Sequence, residues 1–286
     1  MDEAEQREAF DGRHVAEPAE LTVLTGDWTG GGHSVRDDAL WTRTVTLVAH
    51  VDEHGALVDG GRLTWLVPLD QRGAGPHALE PHTQYVVRGR RSTSVPASLA
   101  LDEVVGTTQV PALDERLARW TTPTVLASGL AGVGDLTLTR SHGWFGGTLA
   151  WGELEVGLSL DADPGRPEGA ETCDAALARL GDVVADLATL DARWRTGAAT
   201  HLLELARHWQ DEADGADGAD EADEHGRGAT PLTADALADR IRLASLSIGA
   251  DGSVTPDYDD GDVFWGHAIL LQLDPDLVVV DAEIAG

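Results

Sequence analysis

A chain of 286 residues with 42% hydrophobic side chains is long enough for two ordinary domains with real cores, so its formal charge of −30, fifty acidic residues against twenty basic, belongs on folded surfaces. Every basic residue is arginine, and the balance excludes a nucleic-acid partner, because neutralising phosphates needs a basic stripe that this chain lacks. A single cysteine, Cys173, excludes an internal disulfide and, with no Cys or His beside it, reads as a buried structural thiol.

The most apolar runs, Ala268 to Leu273 and Leu277 to Val280, fall far short of the roughly 20 residues a bilayer span needs, so no membrane partner is expected. The start, Met1-Asp2-Glu3-Ala4-Glu5, is acidic where a secretory signal is basic and then apolar, which predicts a cytoplasmic protein. Codon bias toward Arg, Ala, Gly and Asp and salt adaptation come first as explanations of the acidity. Its functional reading is electrostatic steering toward a basic protein.

Residues 1–20 are polar and read as a frayed or short helical lead, followed by a β-rich domain over 21–130. From Thr42 to Val51, Val45, Leu47, Ala49 and Val51 alternate with Thr44, Thr46 and His50, the period of a half-buried strand. Arg62 to Val67 and Gln84 to Arg90 repeat the pattern, so a small antiparallel sheet or partly open barrel is expected before about residue 110, with a short helix over Asp114 to Trp120. Farther on, Leu136 to Thr139, Thr148 to Trp151 and Leu154 to Leu160 form a three-stranded meander whose last turn is Gly152-Glu153. Between Cys173 and Gln210 the period changes to three and four, predicting amphipathic helix, with Gly197 as the break between two helices. Asp211 to Gly228 holds only residues that cannot build a core and reads as an exposed acidic loop without a calcium register. Thr233 caps a helix from Ala234 to about Ile241, and strands follow at Leu243 to Ile248, Val254 to Tyr258, Val263 to Leu273 and Leu277 to Ile284. The fold class is α+β, the second domain being a mainly antiparallel sheet with two to three helices over 131–286.

Leu136-Thr137-Leu138, Gly143-Trp144-Phe145-Gly146-Gly147, Leu149, Trp151-Gly152 and the string Tyr258-Asp259-Asp260-Gly261-Asp262-Val263-Phe264-Trp265-Gly266-His267 together resemble the bacterial family known as domain of unknown function 2262. The resemblance covers the last 155 residues or so and implies a boundary near residue 130. It implies no activity or cofactor, and the acidic insert departs from the compact helix connection expected of it.

The densest polar cluster is Asp257, Asp259, Asp260 and Asp262, with His267 on the strand expected next. Strand alternation sets Asp262 and Phe264 on one face and Val263, Trp265 and His267 on the other, which argues against a metal site. Two readings compete. Either a tight turn is capped by Asp side chains with His267 hydrogen-bonded near the core, or a pocket forms around Trp265 and His267. The catalytic candidates are His267, Asp262 and Asp260, and the binding candidates are Trp265, Tyr258 and Trp144. No cofactor or metal is expected. His201, Glu204 and His208 lack a second helical ligand pair, no Ser stands in a G-x-S-x-G elbow, and neither Gly129 to Gly134 nor Gly30 to Gly32 fits a phosphate cradle. Three functions stay open: a non-enzymatic binding module, such as an immunity or antitoxin-like inhibitor of a basic protein; an enzyme or small-ligand binder at Trp265 and His267; or a structural or regulatory module.

Overall fold

The computed structural model describes residues 2–27, 31–33, 39–71, 78–95, 97–163, 171–217 and 232–285. It divides into two compact units, Met1–Pro123 and Thr124–Gly286.

In the first unit, α1 (Glu3–Asp11) is closed by a capping box: Asp2 accepts from the Glu5 amide, and the Glu5 carboxylate accepts from the Asp2 amide. Phe10 and Gln6 are buried on this helix, and Gln6 Oε1 accepts from the Leu40 amide at 2.8 Å. The polar lead is thus stitched to the domain rather than frayed. The strands are β1 (Ala19–Thr25), β2 (Gly31–His33), β3 (Leu40–Val51), β4 (Leu57–Asp59), β5 (Arg62–Pro68), β6 (Gln84–Arg91) and β7 (Ser98–Thr107). Because β1 pairs with both β3 and β6, the path β1-β6-β7-β5-β3 returns on itself as a five-stranded barrel-like ring, with β5 and β7 parallel and the other pairs antiparallel. Closure removes the open edges that a small sheet otherwise exposes. Leu21, Val23, Val45, Leu47, Leu63, Trp65, Val87 and Leu99 fill the interior. Helix α2 (Pro111–Thr121), with proline at its start, buries Leu113 against Leu24, Val48 and Ala49.

His50 on β3 is 1% exposed, and its buried Nδ1 has no hydrogen-bond partner among the described residues. Burial, helped by the Arg91 charge, holds its pKa below the ordinary histidine value against the Gly60 backbone contact and the nearby Asp52 and Glu53. A depressed histidine pKa means the unfolded chain takes up the proton first. Stability is therefore undiminished above about pH 6.5 and falls as the pH drops below it, at up to about 1.4 kcal/mol per pH unit for one proton. His14, also lowered chiefly by burial, acts in the same direction. Urea midpoints at pH 7.5 and 5.5 should differ more in the wild type than in His50→Gln, with the lower midpoint at pH 5.5.

In the second unit, β8 (Val125–Leu126), β9 (Leu136–Thr139), β10 (Trp144–Trp151) and β11 (Leu154–Asp161) precede α3 (Asp174–Ala185), α4 (Leu187–Asp217) and α5 (Ala234–Arg240). Then come β12 (Arg242–Ile248), β13 (Val254–Asp259), β14 (Ala268–Leu273) and β15 (Val279–Ala285). The eight strands order as β15-β14-β13-β12-β11-β10-β9-β8, antiparallel except at β11 and β12. A parallel pair needs a long crossover, and the three helices lie within it. Since β8 pairs with β9, residues 125 and 126 fall in the second unit, ahead of the boundary expected near 130. Trp151 pairs with Leu154 across the two-residue turn Gly152-Glu153, where Gly152 has φ 62°.

Two sequence expectations are corrected here. Gly197 does not separate helices: α4 runs through it, and the break falls at Asp186, between α3 and α4. Instead, a Cβ at Gly197 would stand 2.7 Å from Val279 Cβ and 2.6 Å from its Cγ2, so glycine lets the helix lie directly on β15. Gly197→Ala should cost more in overpacking than alanine gains in helix propensity, a net loss of about 1 kcal/mol or more measurable by urea denaturation. The acidic segment expected to be a loop over 211–228 is helical as far as Asp217; the rest of it lies outside the described residues.

Trp194, Phe145, Tyr258, Leu180, Val183, Ile269 and Leu271 lie in one core between helices and sheet. Among the described residues no helix is long and apolar enough to cross a membrane.

Candidate functional site

The predicted strand from Val263 does not form: residues 260–267 are a loop and β14 starts at Ala268. Its organiser is Asp260, a carboxylate only 1% exposed. Oδ1 accepts from the Asp262 amide at 3.1 Å, and Oδ2 accepts from the amides of Phe264 at 2.5 Å and Gly266 at 3.0 Å. Backbone donors that a strand would spend on its neighbours thus converge on one side chain, which strengthens with its charge. The convergence requires left-handed backbone at Gly261, Asp262, Trp265 and Gly266, with φ of 58°, 62°, 58° and 85°. At Gly261 a Cβ would also stand 2.7 Å from the Arg240 carbonyl, where the loop meets the end of α5.

Phe264 turns inward and is fully buried, while Trp265 turns outward and is 64% exposed. A tryptophan in left-handed conformation costs roughly 1–2 kcal/mol, held in place by the surrounding contacts. Trp209 on α4 unites the cluster. Its ring lies 4.7 Å from that of Trp265, 5.6 Å from Phe264 edge-on, and 5.6 Å from His267 edge-on. Thus Trp265 and His267 do share a neighbour, through a loop rather than a pleated face. Trp209 itself was legible only as one more apolar position of an amphipathic helix.

The acidic residues around the loop serve local structure. Asp259 caps the Gly261 amide at 2.9 Å, and Asp257 accepts from Ser245 Oγ at 2.6 Å. Asp262 is exposed. Among the described residues no group of three or more His, Cys, Asp or Glu is placed to hold a metal ion. Cys173 is buried, and burial together with Asp163 and Asp174 pushes its thiol pKa up to about 11, far from a reactive thiolate. Trp144, 36% exposed at the start of β10, stacks on His142 with ring centroids 4.6 Å apart.

The model of the family described as an uncharacterized protein conserved in bacteria, DUF2262, matches residues 131–284, which include this loop, the eight-stranded sheet from β9 onward and all three helices of its crossover. The chain belongs to that family. A second model, a domain of unknown function, DUF7021, matches residues 6–120 and so takes in the barrel-like unit with α1 and α2. No curated protein and no solved structure matches the chain.

Tyr258, exposed in neither direction, points into the DUF2262 core, where its hydroxyl donates to Asp191 Oδ1 at 2.9 Å. Burial, then the Asp191 charge, raises the phenol pKa far above its ordinary value, so the group stays a donor. Arg195 Nε donates to the other oxygen of Asp191 at 3.1 Å, and this network borders a cleft of about 460 Å³. Sequence reasoning missed Asp191 and Arg195, although their spacing of four on a helix permits an ion pair. In the DUF7021 unit it missed Asp27, whose Oδ1 accepts from His82 Nε2 at 2.7 Å and Trp120 Nε1 at 3.1 Å. Separations of 55 and 93 residues leave no local signal for that pairing.

Proposed function

We propose that this DUF2262 protein is a non-enzymatic binding module of the cytoplasm, an inhibitor of the immunity or antitoxin kind, whose partner is a basic protein. The observation that carries the reading is Trp265: an indole 64% exposed, held out in left-handed backbone by a buried carboxylate and braced on Trp209. Binding hot spots are enriched in tryptophan, and an anchor fixed before encounter loses little entropy on docking. Asp259 and Asp262, both exposed, precede it by six and three residues on a chain of net charge −30. An arginine of the partner can stack on the indole while pairing with these carboxylates. Against the enzyme reading stand the engagement of Asp260 by three backbone amides and the burial of Tyr258 on Asp191.

Replacing Trp265 by a photo-crosslinking phenylalanine derivative in cells tests this, with the same replacement at Trp144 as the control. A covalent adduct with one basic protein, formed from position 265 in a yield that falls when cell lysate is irradiated at raised salt and absent from position 144, is the expected result. Identical adducts from both positions, or an acidic partner, would remove the proposal.

A further inference from the structure

The cleft beside Asp191 lies on the DUF2262 unit at the end of α5, which the loop approaches at Gly261, and its reading does not rest on the role of Trp265. Asp191 and Trp209 are 18 positions apart on α4, on the order of 27 Å along the helix axis. Lining the cleft are two arginines, Arg195 and Arg242, two aspartates, Asp191 and Asp239, and an apolar wall that includes Trp151 and Leu154.

Both guanidinium groups are held by only part of their donor set. Arg195 donates from Nε to Asp191 Oδ2 at 3.1 Å and from Nη1 to the Ala238 carbonyl at 3.1 Å. Arg242 donates from Nη1 to the carbonyls of Asp239 and Ile241, at the end of α5. Neither Arg195 Nη2 nor the Nε and Nη2 of Arg242 has a partner among the described residues. Asp191 is 9% exposed with each oxygen already engaged, by Tyr258 and Arg195, so its part is to aim Arg195. Asp239 stands exposed at the rim, and its carboxylate accepts from no described group.

Charge decides what fits. A simple anion entering the cleft meets Asp239 and the field of a chain of net charge −30; a simple cation meets two arginines. A molecule carrying both signs a few ångströms apart satisfies each rim group with its opposite. The volume, about 460 Å³, is within the range of small-ligand pockets. We propose that the cleft binds a small zwitterion with an apolar side chain, an α-amino acid or short peptide. Its carboxylate takes the free Nε and Nη2 edge of Arg242 and the free Nη2 of Arg195, its ammonium takes Asp239, and its side chain lies on Trp151 and Leu154. Tyr258 and Asp191 are positioning residues in this arrangement.

Calorimetric titration of the full chain with L-leucine, L-tryptophan and L-leucyl-L-leucine, each beside its N-acetylated and C-amidated analogue, tests the assignment. At least one free zwitterion should bind saturably, and blocking either terminus should weaken it about tenfold or more. Arg242→Gln and Asp239→Asn, both at exposed positions, should each produce a loss of similar size with the circular dichroism spectrum unchanged. Absence of binding by all three zwitterions overturns the proposal. So does equal binding of the N-acetylated analogue, which would mark a plain anion site, or an unchanged affinity in Arg242→Gln.

Discussion

Asp260→Ala should destabilise the protein by about 3–5 kcal/mol, the largest loss expected from any change in the loop. The carboxylate is buried and accepts from the amides of Asp262, Phe264 and Gly266; without it those donors lose a charged acceptor in a place with little access to water. Four left-handed residues in one seven-residue stretch, two of them not glycine, then lose the interaction that offsets their backbone cost. Asp260→Asn keeps one carbonyl acceptor and should lose about half as much. Urea denaturation of the full chain measures the totals. Hydrogen exchange identifies the cause: protection at the amides of 262, 264 and 266 should fall before that of β13 and β14.

Trp194→Ala should cost about 3–5 kcal/mol for a different reason, the cavity left by a large side chain. Trp194 is fully buried at the centre of the second core, and its Nε1 donates to the Leu277 carbonyl at 3.0 Å. Leu277 has φ 60° in the turn between β14 and β15, and Arg193 Nη2 donates to the same carbonyl at 2.8 Å. Trp194 therefore fastens α4 to that turn besides filling the core. Trp194→Phe restores most of the volume but not the donor, so it should lose only about 1–2 kcal/mol. Thermal or urea midpoints of the two variants separate the packing and hydrogen-bonding contributions.

How much of this was legible in the sequence follows from the range of the forces involved. Strands β3, β5, β6, β11, β12 and β13 have alternating side chains that meet the core on one face, so periodicity located them to within a residue or two. Helix content over Cys173 to Gln210 was visible for the same reason, but the place of the break was not. Glycine at 197 looks like a helix terminator when only the chain is seen; the close approach of Val279, 82 residues later, is what requires it. The loop after β13 defeated alternation because Asp260 competes with a strand partner for backbone amides, a contest that periodicity does not register. Its aspartates and glycines did signal a turn, which formed, yet Phe264 and Trp265 exchanged the roles that a pleat assigns them. Asp191, Arg195 and the pairing of Asp27 with His82 come together only through tertiary contact, where composition and spacing are silent.

The central claim, that Trp265 is a pre-set anchor for a basic protein, is tested most directly by the affinity of the partner crosslinked at position 265 for the wild type and for Trp265→Ala, measured at two salt concentrations. Loss of an anchor worth about 2 kcal/mol or more predicts a Kd at least about 30-fold weaker for the variant, with both proteins binding less tightly as salt rises. A Kd that Trp265→Ala leaves unchanged, or that salt does not weaken, would contradict the claim.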